Sequence, residues 1–124
     1  MDLPITDLGK IVLKGSASAG GNDTVRATFG KDVWAVTTKD SVLDISSVWH
    51  ESEFNVVGDA GGSRADFNKG AKVTVTLKLA DGSKLAPTCV ANAGTTGETN
   101  NLNLGACKAS APLGVPEIVF GESD

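Results

Sequence analysis

The octapeptide KVTVTLKL, Lys72 to Leu79, decides the fold class: Val73, Val75, Leu77 and Leu79 alternate with Lys72, Thr74, Thr76 and Lys78. Successive side chains of a strand point to opposite faces, so the pattern predicts a strand with one apolar and one wet face. Directly downstream, Ala80-Asp81-Gly82-Ser83 carries an Asp-Gly turn signal, and SKLAPTCV after it predicts the return strand of a hairpin. Pro87 has no N–H to give a ladder, which confines that return strand to an edge and places Cys89 near it.

Upstream, the same alternation recurs. GKIVLKG sets Ile11 and Leu13 against Lys10, Val12 and Lys14, and TVRATF sets Val25, Ala27 and Phe29 against Thr24, Arg26 and Thr28. Gly30-Lys31 then turns the chain into DVWAVTT, where Trp34 and Val36 share a face, so residues 24 to 38 form a second predicted hairpin. Near the end, LNLGACKA and PEIVFG supply Leu102, Leu104, Ile118 and Phe120, with Pro112 and Pro116 stiffening the approach to a last short strand. Short strands separated by Gly, Ser, Asn and Asp predict an all-β fold, a single-domain antiparallel β-sandwich or barrel over residues 1–124. At most one short helix is expected, near residues 41–53, where Val42, Ile45, Trp49 and Ser52 suit one helical face. If that segment is a strand instead, Leu43, Ile45, Ser47 and Trp49 form its buried side.

Composition agrees. Fifteen glycines against four prolines, with 40% hydrophobic and 21% charged residues in 124, describe a chain able to build a core. The net charge is −4 and the eleven Lys and Arg are scattered, which argues against nucleic acid as a partner. No apolar run reaches the length of a membrane span, and MDLPITDLGK has neither the basic start nor the apolar stretch of a signal peptide. Cys89 and Cys107 flank a Gly/Thr/Asn-rich loop and are expected to form a disulfide, the alternative being two reduced, buried thiols.

The densest chemistry lies in VWHESEF. Trp49, His50, Glu51 and Glu53 form the candidate binding site, with no catalytic assignment. A zincin helix needs a second histidine one turn after the first, and Phe54 occupies that position, so no metal is expected. Glu51 and Glu53 as strand neighbours would point the same way and could not straddle a glycosidic bond. No G-x-S-x-G elbow accompanies His50. GSASAGG and GDAGGSR lack the Lys-Ser/Thr ending of a phosphate loop, and Asp59, Asp66 and Asp81 lack EF-hand spacing. Asn22-Asp23-Thr24 matches a glycosylation acceptor. With six aromatic residues in all, at least one of Trp34 and Trp49 is expected in the core, and no cofactor is expected.

These readings favour a structural or protein-interaction module, not an enzyme, that assembles with copies of itself as a homo-oligomer in a virion coat or decoration layer, a fibre or a cell-surface assembly, extracellular or on a virion. The proline-bearing ends, residues 1–9 and 111–124, are expected to be extended arms that add a strand to a neighbour. The alternative is a small secreted enzyme or inhibitor with a cleft near His50.

Overall fold

The computed structural model of the chain describes residues 5–54, 56, 65, 67–90 and 102–124. It is all-β, with two antiparallel sheets and one α-helical turn, and its contacts group it into two compact units, Met1–Ser52 and Glu53–Asp124. Among the described residues neither sheet closes into a barrel.

The first unit is a meander of β1 (Ile11–Ser16), β2 (Asn22–Phe29) and β3 (Asp32–Lys39). The β2–β3 hairpin follows from the sequence, because Gly30 takes φ +60°, a left-handed turn conformation that a residue with a Cβ adopts only under strain. Register fixes the faces. Leu13, Ala27 and Trp34 lie in one row and Gly15, Val25 and Val36 in the next, on the same side of the sheet. Opposite them stand Lys14 against Arg26, and Thr24 against Thr37 with their hydroxyls 3.0 Å apart. A 3-10 turn (Asp40–Val42) and α1 (Ile45–Val48) follow β3. The helical segment therefore exists within 41–53 but spans one turn, so the longer face Val42–Ile45–Trp49–Ser52 does not form; Trp49, at φ −76° and ψ 97°, already leaves the helix.

In the second unit β4 (Lys72–Lys78) is the strand that KVTVTLKL predicts, but its partner differs from the expected hairpin. The turn itself forms: Gly82 has φ +84° and the Ser83 N–H donates to Asp81 Oδ1 at 2.8 Å. Lys84–Val90 then runs without strand pairing, and β4 pairs instead with β7 (Glu117–Ser123). Pro87 cannot donate to a ladder, whereas β7 sets Phe120 opposite Val75 and Ile118 opposite Leu77. The other edge of β7 takes β5 (Asn103–Leu104) and β6 (Lys108–Ser110). Val75 is buried, and the Phe54 ring lies 6.2 Å from that of Phe120, inclined at 57°.

This overturns the extended arm at 111–124. Its strand is paired on both edges, and its end is held where Gly70 N–H donates to Asp124 Oδ2 (3.2 Å) and Asp124 N–H to Ala71 O (3.2 Å). In the N-terminal segment 1–9, the described part belongs to a 3-10 helix, Ile5–Lys10, and is not extended.

Cys89 and Cys107 are disulfide-bonded with Cα atoms 6.1 Å apart, tying the unpaired 84–90 segment to the β5–β6 connection. The loop residues 91–101 and the glycine-rich run 58–64 lie outside the described residues. Closing a loop of this length restricts the unfolded chain by about 3 kcal/mol. Reduction is expected to lower the unfolding free energy by that amount, measured in denaturant melts with and without a thiol; coincident curves would show that the bond contributes nothing to stability.

Candidate functional site

The sequence-predicted residues sit at the exit of α1. The Trp49 indole lies over Gly15 of β1, so close that a Cβ at Gly15 would fall 2.9 Å from Trp49 Cη2. Its Nε1–H donates to Glu51 O at 2.6 Å, which folds the 49–51 backbone into a compact turn. The far edge of the six-membered ring thus meets β1, and much of the side chain stays exposed: Trp49 is 46% exposed and Trp34 is 40% exposed. Neither tryptophan is the core residue that the scarcity of aromatics suggests. A glycine on β1 leaves room for the tip of the indole that a larger residue would fill.

His50, Glu51 and Glu53 are exposed. Trp49, His50 and Glu51 belong to the first unit and Glu53 to the second. Asp81, the one described member of the three aspartates weighed for calcium, serves its own turn, and Asp59 and Asp66 lie outside the described residues. No group of three or more His, Cys, Asp or Glu side chains among the described residues is placed to hold a metal ion.

A second cluster, absent from the sequence reading, lies at the open end of the β2–β3 hairpin. Asp23 and Asp40 are 6% and 3% exposed, shielded locally and not sunk in a deep core. Asp40 is engaged through both oxygens: Ser46 N–H donates to Oδ1 at 3.0 Å and Ser46 Oγ–H to Oδ2 at 2.7 Å. Those two bonds, the backbone one first, hold its carboxyl below the usual carboxylate range. Both oxygens of Asp23 are buried without a hydrogen-bond partner of good geometry. Burial, and then the neighbouring Asp40 charge, push the Asp23 carboxyl up. A signal was legible: Asp23 falls on the apolar parity of Val25, Ala27 and Phe29, where an acid is out of place.

In the second unit Glu122 repeats the theme. It shares its face with Phe120 and Ile118, is buried with Oε2 unpartnered, and burial raises its pKa.

Compared with known protein families, curated proteins and solved structures, the chain finds no match.

Two outcomes follow from this geometry. Gly15→Val is expected to push the indole off β1, destabilising the chain by about 1–3 kcal/mol as overpacking does and shifting Trp49 emission to the red in a Trp34→Phe background. An unshifted spectrum would mean that Trp49 does not rest on Gly15. For Glu122, a folded-state pKa above the unfolded one gives stability at low pH that is lost as pH rises through the folded value. Glu122→Gln is therefore expected to raise the thermal midpoint at neutral pH, with the gain vanishing in acid. A gain that persists in acid would point to a cause other than ionisation.

Proposed function

We propose that the chain is a structural, protein-interaction module that assembles with copies of itself through the apolar face of β1, β2 and β3. The observation that carries this reading is the exposure of Leu13, Val25, Trp34 and Val36 together in two adjacent register rows, with Val36 at 76%. A sheet is stable when its apolar side packs on another layer, and fully burying one such aliphatic side chain contributes about 1.5–3 kcal/mol. Among the described residues the only buried hydrophobic side chain is Val75, in the other unit. Contiguous exposed apolar surface of this kind marks association sites on stable proteins.

The surroundings favour the same face. The reverse side of the sheet carries Lys14, Arg26 and Lys39 with threonines and no carboxylate, and its large exposed apolar residues, Val12 and Val33, are interrupted by Thr28 between them. Among the described residues the outer edges of β1 and β3 have no strand partner, and every residue of β3 is exposed, so strand addition is open to a second copy as well. The disulfide is compatible with an extracellular protein, and no helix among the described residues is long and apolar enough to cross a membrane. The proposed assembly lies outside the cell or on a virion.

Sedimentation velocity over a wide concentration range tests the proposal. The wild-type chain is expected to associate reversibly, and the pair Leu13→Lys and Val36→Lys to weaken association at least about tenfold, a change of roughly 1.4 kcal/mol. A wild-type chain that stays monomeric at all concentrations, or a charged variant that associates equally well, would overturn it.

A further inference from the structure

We propose that Asp23 and Asp40 form a proton-operated latch, in which one proton shared between the two carboxyl groups holds the 40–49 segment, and Trp49 with it, against the first sheet. The two acids come from opposite sides of one junction. Asp23 stands at the start of β2, and Asp40 begins the turn that leaves β3.

Asp40 organises everything downstream. Its N–H donates to Gly21 O (3.1 Å), its carbonyl accepts from Leu43 N–H (3.1 Å) and Asp44 N–H (2.6 Å), and its carboxylate takes both donors of Ser46 in the first turn of α1. Trp49 N–H then donates to Ile45 O at 2.9 Å, so the helical turn links Asp40 to the indole on Gly15. Movement at Asp40 is transmitted along this run of hydrogen bonds.

Asp23 is the member that needs the proton. A carboxylate shielded from water with no hydrogen-bond partner of good geometry is a costly arrangement. As a carboxylic acid it has one O–H to donate, and the neighbouring Asp40 carboxylate has acceptor capacity left. The Asp23 proton leaves to bulk water when the pair ionises, and two like charges then face each other across the junction. From β2 the pair is faced by Asp23 itself, and from the turn after β3 by Asp40. From the link to α1 it is faced by Asp44, a third acid, in a left-handed conformation at φ 53°. Residues 18–21 and α1 bring only neutral groups, the amides of Ser18 and Gly20 and both donors of Ser46. Among the described residues no Lys, Arg or His side chain contributes to the pair; Lys39 points to the other face of the sheet.

The test is Trp49 fluorescence against pH in the full chain carrying Trp34→Phe, which leaves one indole, and His50→Gln, which removes the imidazole next to it in the chain. Emission is expected to shift to the red as pH rises from about 4 to 8, with a midpoint above the ordinary carboxylate range. Asp23→Asn keeps an amide donor toward Asp40 and is expected to hold the blue-shifted emission throughout. Asp40→Asn, which removes the charged partner of Asp23, is expected to abolish the transition independently. Flat emission in the parent, or an unchanged transition in either variant, would overturn the latch.

Discussion

Because an antiparallel ladder commits opposed residues to one side, pairing Leu13 with Ala27 and Ala27 with Trp34 leaves the first unit no choice over which face is apolar. The rest of that unit is arranged around the consequence. Gly15, Val25 and Val36 extend the same stripe, Trp49 rests on its glycine, and the cationic residues go to the reverse. The second unit obeys the same rule with a different outcome. Val75, Phe120, Leu77 and Ile118 share a side, and there Phe54 supplies a ring against Phe120.

Buried acids placed on the apolar parity are the exceptions to this pattern, and both units have one. Asp23 follows the phase of Val25, and Glu122 that of Phe120. A solvated acid at either place would need the strand to end or turn over; instead the ladder continues and the carboxyl is shielded. The protein thus carries ionisable groups whose proton affinity is set by the sheet. Asp40 is the counter-example, since it is equally shielded but is satisfied by Ser46 and keeps its charge.

What could be read from the sequence was local. Alternation from Lys72 to Leu79, the glycine between β2 and β3, and the short helical stretch after Asp40 each depend on neighbours a few positions apart, and each is present. The cysteine pairing was legible because only two cysteines exist. Partnership between strands distant in the chain was not. Nothing within KVTVTLKL states that Val75 will face Phe120 and not the segment after the Asp81 turn, because two strands of similar pattern compete and Pro87 decides against the nearer one. The site divided in the same way. Trp49, His50, Glu51 and Glu53 could be named from their density, yet where the indole rests depends on a glycine distant in the chain. Asp23 was marked by its parity, whereas Asp40 becomes a buried partner only once the turn after β3 has formed.

The placement of β7 has a consequence in time. Every strand of the second sheet pairs with it, while its main partner, β4, is separated from it by the disulfide-closed loop and two shorter strands. The first sheet, by contrast, is a meander in which each strand meets its sequence neighbour across a short turn. Local pairings close quickly and distant ones slowly. One unit therefore assembles as its own hairpins zip together, while the strand KVTVTLKL, the plainest in the sequence, stays without a lasting partner until Glu117–Ser123 arrives.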